Sequence, residues 1–230
     1  LLLSKYTSQE DIIIGTPGTG RTIPEADSLM GMFVNTLAIR TAPGRDKTFR
    51  DFLKEIETQV LSAYDNQDYQ LDMLVEELHI RREGGRNPLF DVLFDIVNRK
   101  EDKFMEDICL KPVETDMDVA KFDIVVTVIE NESDLSLSIE YRDDLFLPET
   151  IDRMAEHYIN LLEDIVKKKD GKLKDMDMVS EAEKHRLLYE FNKTSRPYKL
   201  NKTIHELIED SVHENPDKIA DNAPDEPILG

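Results

Sequence analysis

Leu135-Ser136-Leu137-Ser138-Ile139-Glu140-Tyr141 alternates apolar and polar residues without a break, and no other stretch constrains the fold as tightly. Successive side chains of a strand point to opposite faces, so a period of two means a strand with one dry and one wet face. The preceding segment, Phe122 to Glu130, is apolar over most of its length. The turn-prone Asn131-Glu132-Ser133-Asp134 joins the two, and a hairpin is predicted over 122–141.

Helical signals surround this hairpin. Thr48-Phe49-Arg50-Asp51 resembles a capping box, and Phe52, Leu53, Ile56, Val60, Ala63 and Tyr64 follow at helical spacing. The helix is predicted to run to about Asn66, with a shorter one over Leu71 to His79. Pro148 and Glu149 open a long helix with Ile151, Met154, Tyr158, Leu161 and Ile165 on one side, closed by Lys167 to Lys169 and Gly171. Its His157 falls on a polar flank among Arg153 and Glu156 and is expected to face solvent.

Upstream, residues 1–8 read as the end of a helix and Asp11 to Ile14 as a short buried strand. Gly15 to Arg21, with three glycines and a proline, is predicted to be a loop. Strands are expected over Val34 to Thr41 and, centrally, over Phe90 to Val97. A βαβ-type beginning, a later hairpin and then helices predict an α/β sandwich of a mixed sheet and packed helices.

Twenty-nine basic against forty-nine acidic residues give a net charge of −20, which excludes nucleic acid or an anionic membrane surface as the main partner. The single cysteine, Cys109, allows no internal disulfide and no metal cluster, in keeping with a reducing, cytoplasmic setting. No apolar run approaches the roughly 20 residues of a membrane span, and no signal peptide is present. The chain opens on Leu1-Leu2-Leu3-Ser4-Lys5-Tyr6, without methionine, and reads as a piece of a longer polypeptide. After Gly171 the character changes. Ser180-Glu181-Ala182-Glu183 caps a helix to about Phe191, a polar stretch with Pro197 follows, and Thr203-Ile204-His205-Glu206 caps a last helix.

The candidate functional residues lie in three clusters. Asn35 shares a strand face with Phe33, Leu37 and Ile39, where an amide costs roughly 1–3 kcal/mol unless it is hydrogen-bonded. The others are Asn66-Gln67-Asp68-Tyr69 and Arg86-Asn87-Pro88-Leu89-Phe90. Asn35 is read either as an orienting group for a substrate carbonyl or amine, or as a buried amide bonded to neighbouring backbone. Gln67 and Asp68 either orient partner groups or cap one helix and pin the next. Arg86 pairs with a carboxylate of a partner, with Asp68 or with Asp91. The loop from Gly15 lacks the Gly-Lys-Ser/Thr ending of a phosphate-binding P-loop.

In order and spacing these segments resemble the C-terminal lobe of a nonribosomal peptide synthetase condensation domain. Ile14-Gly15-Thr16-Pro17 with Gly20-Arg21 is similar to the family's Gly-Thr-Pro…Gly-Arg segment. Met30-Gly31-Met32-Phe33-Val34-Asn35-Thr36 with Arg40 resembles Ile-Gly-x-Phe-Val-Asn-Thr…Arg, with Met30 in place of Ile. Asn66-Gln67-Asp68-Tyr69-Gln70-Leu71-Asp72 resembles His-Gln-Asp-Tyr-Pro-Phe-Glu and departs from it at Asn66, Gln70, Leu71 and Asp72. Arg82-Glu83-Gly84-Gly85-Arg86-Asn87-Pro88-Leu89-Phe90 resembles Arg-Asp-x-Ser-Arg-Asn-Pro-Leu-Phe, with Gly85 replacing Ser.

The resemblance implies a chloramphenicol-acetyltransferase-like (CoA-dependent acyltransferase-like) α/β lobe over 1–178, a linker helix and linker over 179–202, and an incomplete start of an adenylation region over 203–230. It implies amide formation between two carrier-tethered aminoacyl or peptidyl thioesters. The partners would be the N-terminal lobe, donor and acceptor carrier proteins and the adjacent adenylation domain. Phosphopantetheine would reside on the carriers, with no cofactor bound directly. Gly15, Thr16, Arg21, Gly31, Asn35, Gln67, Asp68, Arg86 and Asn87 would line the substrate tunnel or the lobe interface. The family's His-His-x-x-x-Asp-Gly motif is absent: none of His79, His157, His185, His205 and His213 has a neighbouring His or a following Asp-Gly. Catalysis by this chain alone is therefore not expected. A non-catalytic platform for carrier or adenylation domains is the rival reading. The matching lobe of an epimerisation or heterocyclisation domain is another, and Phe33-Val34-Asn35-Thr36 speaks against it.

Overall fold

Five strands form one mixed sheet in the spatial order β2-β1-β3-β4-β5. They are β1 (Ile12–Gly18), β2 (Asn35–Thr41), β3 (Val92–Asn98), β4 (Ile124–Glu130) and β5 (Leu135–Tyr141). The structure is a computed structural model that describes residues 1–81, 84, 86–98, 119–131, 134–196, 202–214 and 216, without the side chain of Asp27. Arg82, Glu83, Gly85, Cys109, Glu132, Ser133, Pro197 and the stretch 221–230 lie outside the described residues.

The hairpin forms as expected, with β4 and β5 antiparallel from Ile124↔Tyr141 to Glu130↔Leu135. Arg142 fastens its open end, donating from Nη1 to Asp123 Oδ1 at 3.4 Å and from its backbone N–H to Asp123 O at 3.1 Å. β3 is central, as expected, and runs parallel to β4. The first strands depart from expectation. β1 and β2 pair antiparallel from Ile12↔Thr41 to Gly18↔Asn35, so the βαβ relation holds between β1 and β3 instead. Nor is Gly15 to Gly18 a loop: it completes β1, because the long ladder with β2 overrides the local preference of glycine and proline.

Helices α1 (Leu2–Thr7), α2 (Phe49–Asp65), α3 (Leu71–Glu77) and α4 (Pro148–Lys167) accompany the sheet. α2 starts at Thr48, whose Oγ1 accepts from the Asp51 N–H at 3.2 Å, as the capping box predicts. Phe52 of α2 and Ile151 and Leu161 of α4 are buried with Ile12, Leu37, Ile39 and Ile124. Register places these strand residues on one face of the sheet, so the core lies between that face and the helices.

His157 does not face solvent. It is only 5% exposed, and its Nδ1 lies 2.5 Å from the Tyr6 hydroxyl. The periodicity of α4 marks only the stripe that meets the sheet. The flank carrying His157 is covered by α1, from the far end of the sequence.

The chain divides into two compact units, Leu1–Glu181 and Ala182–Gly230. At the junction α5 (Glu181–His185) passes into a π-helical turn over Arg186–Glu190, so helical backbone runs to the expected end near Phe191, with its last turn π rather than α. The second unit also holds α6 (Ile204–Glu214), whose capping box is formed: the Thr203 N–H donates to Glu206 Oε2 at 2.6 Å. Ile204, Ile208 and Val212 on α6 are exposed.

Gly15 sits against a ring. A Cβ there would lie 2.2 Å from Phe90 Cε2, and Phe90 is buried and stacked on Phe122 with centroids 5.7 Å apart. Gly15→Ala is expected to cost about 1–3 kcal/mol in urea unfolding. A change below about 0.5 kcal/mol would show that the ring moves aside freely.

Candidate functional site

The clusters around Gly15–Arg21, Asn35 and Gln67–Asp68 meet at one end of the sheet. The sharing of strand ends explains the first contact: Gly18 closes β1 opposite Asn35, the first residue of β2. The second comes from the turn between α2 and α3, where the carbonyls of Gln67 and Tyr69 lie beyond the end of α2 at Asp65 and before α3 begins at Leu71. Asn35 supplies the missing donors. Its Nδ2 donates to Gln67 O at 2.7 Å and to Tyr69 O at 3.0 Å, while its Oδ1 accepts from the Thr36 N–H at 2.9 Å.

Gln67 and Asp68 reach back to the loop. Gln67 Oε1 accepts from the Gly20 N–H at 3.1 Å, and Asp68 Oδ1 accepts from the Thr22 hydroxyl at 3.1 Å. Gly20 has φ +62°, and a Cβ there would fall 1.7 Å from Phe33 O, so only glycine fits. Arg21 gathers the rest of the loop. Its guanidinium donates to Ala26 O, donates to Leu29 O at 3.0 Å and stacks 4.4 Å from the centroid of the Phe33 ring. Gly31 is exposed beside that ring.

Arg86 and Asn87 stand apart from this interlock. Of the alternatives read from the sequence, Arg86 pairs with Asp91, with Nε donating to Oδ1 at 3.0 Å and Nη2 to Oδ2. Asn87 Oδ1 accepts from the Leu89 and Phe90 N–H groups at 3.0 and 3.4 Å, a local turn that delivers the Phe90 ring to Gly15.

Beside the interlock lies a groove of about 690 Å³, lined by Thr16 and Pro17 of β1, Val34, Tyr64 of α2, Phe94 of β3 and Tyr158 of α4, among others. Its wall is mostly apolar, with the hydroxyls of Thr16, Tyr64 and Tyr158 as polar points. Tyr64 Oη lies 3.5 Å from Pro17 O, and burial pushes the Tyr158 hydroxyl above the ordinary tyrosine pKa. Sequence reasoning named Thr16 but treated Tyr64 and Tyr158 as core, since helical spacing reports a buried side and not whether a cavity borders it. Among the described residues, no group of three or more His, Cys, Asp or Glu comes together as a metal site. No helix among them is long and apolar enough to cross a membrane.

The family description "Condensation domain" matches residues 1–188. The chain belongs to the condensation domain family. It is 44% identical over 221 residues to bacitracin synthase 3 of Bacillus licheniformis, covering 96% of this chain and 4% of that protein. It is 42% identical over 223 residues to gramicidin S synthase 2 of Brevibacillus brevis, covering 96% of this chain and 5% of that protein. Thus this condensation domain chain spans a small fraction of the relatives it matches.

Solved structures share its fold. A four-domain nonribosomal peptide synthetase bound to AMP and glycine superposes with TM-score 0.75 at 21% identity, over 94% of this chain and 18% of that one. The condensation domain of the Monacolin K polyketide synthase superposes with TM-score 0.64 at 22% identity, over 75% and 40% of the two chains. The α/β condensation-domain architecture expected from the motifs, with its chloramphenicol-acetyltransferase-like lobe, is the fold observed.

Asn35→Ala removes both donors from the α2–α3 corner and leaves two carbonyls unmet. A stability loss of about 1–3 kcal/mol is expected in chemical denaturation. Unchanged stability would mean that water replaces the amide without cost.

Proposed function

We propose that residues 1–178 form the C-terminal lobe of a condensation domain and build one wall of the channel in which an amide bond forms between two carrier-tethered thioesters. Residues 179–202 are the linker, and 203–230 begin the region that leads into an adenylation domain. One observation carries this reading: three family segments distant in sequence are tied together by Asn35 and Gln67 beside the groove. A mostly apolar groove with a few hydroxyls suits the extended, amide-containing phosphopantetheine arm of a carrier protein.

Asn35 acts here as a positioning residue. Its two N–H groups are engaged within the lobe, so it sets the start of β2 and the groove wall. Gly15, Thr16, Arg21, Gly31, Gln67 and Asp68 shape the same wall and the loop beside it. Arg86 and Asn87 act more remotely, through Phe90. The N-terminal lobe, carrying His-His-x-x-x-Asp-Gly, is the partner that supplies proton transfer. Exposed Met30, Met32, Val34, Ile96 and Leu135, at the strand ends and in the adjoining loop, support an apolar seat for that lobe.

The test mixes this chain with an N-terminal lobe bearing that motif and with loaded donor and acceptor carriers, and follows dipeptidyl thioester by mass spectrometry. Product only with both lobes present is expected. A stable lobe–lobe complex without product would overturn the reading in favour of a docking platform.

A further inference from the structure

The layer between the sheet and its helices is not filled throughout. Ile14, Phe94, Val126 and Ile139 share by register the sheet face on which Ile12 and Ile124 are buried, yet each of the four is only half-buried. They border a cavity of about 170 Å³, with Ile56 of α2 and Met154 of α4 on the helix side. Protein interiors seldom keep voids larger than a water molecule, because the lining of a void forfeits its contacts. A cavity of this size calls for an occupant.

Chemistry and position define that occupant. Among the described residues lining the cavity none is acidic, basic or histidine, and only Thr41 and Tyr158 carry hydroxyls. The Thr41 hydroxyl already donates to Ile12 O at 3.3 Å. A buried water needs two to four polar partners, so water is poorly held here. An engineered apolar cavity of about 150 Å³ in another protein stays dry and takes up benzene, which sets the scale of what fits. The cavity adjoins the groove described above, since Ile14, Ile56, Phe94 and Tyr158 line both. From there it continues toward β4 and β5, where Val126, Leu137 and Ile139 form its floor.

We propose that this cavity receives the apolar side chain of a tethered substrate, a phenyl ring or a branched alkyl group, while the carrier arm lies in the groove. The inference rests on the carrier-arm reading of the groove and adds to it the class of aminoacyl group that the arm delivers. Val126 and Met154 are thus specificity-determining residues. A charged side chain would lose its water there and meet no counter-charge, so acidic and basic aminoacyl groups are disfavoured.

Non-hydrolysable probes test it by titration calorimetry on the 230-residue chain. They are the aminopantetheine amides of alanine, phenylalanine, glutamate and naphthylalanine. The phenylalanyl probe is expected to bind about tenfold tighter than the alanyl probe, because its ring leaves water, and the glutamyl probe no tighter than the alanyl one. Val126→Phe fills the cavity and should erase the phenylalanyl preference while alanyl binding persists. Met154→Ala widens the cavity and should pass the preference to the naphthylalanyl probe, so the test does not depend on the folding of one variant. Equal binding of the alanyl and phenylalanyl probes overturns the cavity assignment alone. So does a phenylalanyl preference that survives Val126→Phe, or a Met154→Ala variant with no gain for the naphthylalanyl probe. Binding of no probe overturns the carrier-arm reading together with it.

Discussion

The Asn35 carboxamide commits both of its N–H groups to the carbonyls of Gln67 and Tyr69, and much of this end of the fold depends on that commitment. The carbonyls of Gln67 and Tyr69 lie in the turn between two helices, where the chain has few backbone donors to offer them. Taking the donors from a strand ties α2, α3 and β2 into one body. The side chain of Gln67 then extends the tie to Gly20, and Gly20 must be glycine because its backbone is left-handed and lies against Phe33. The groove beside Thr16 therefore has a wall set by hydrogen bonds, and its shape does not depend on apolar packing alone.

A second brace works at the other end of the central strands. Arg86 holds Asp91, Asn87 turns the chain, and the Phe90 ring enters the space left by Gly15. β1 is thus pinned below by a ring that demands the absence of a side chain and released above by Pro17. The groove opens where the β1–β3 pairing gives out, so a packing constraint at Gly15 and a missing N–H at Pro17 together set its position.

Much of this was legible in the sequence, and the reasons differ by element. The hairpin over 122–141 and the caps at Thr48 and Thr203 are local patterns, and each forms as read. Asn35 stood out because an amide on an apolar face must find partners. Which partners it finds, 32 and 34 residues away, is a property of the folded corner. Gly15 to Gly18 reads as a loop by composition and becomes strand because β2 lies alongside. His157 reads as exposed because α1, which covers it, belongs to the other end of the chain.

The most direct measurement of this account is a double-mutant cycle on Asn35→Ala and Gln67→Ala, read by urea unfolding of the 230-residue chain. If the strand, the corner and the loop are one interlock, the two losses are non-additive by about 0.5 kcal/mol or more. Additive losses would contradict it, showing that the amide of Asn35 and the side chain of Gln67 hold separate pieces of the structure.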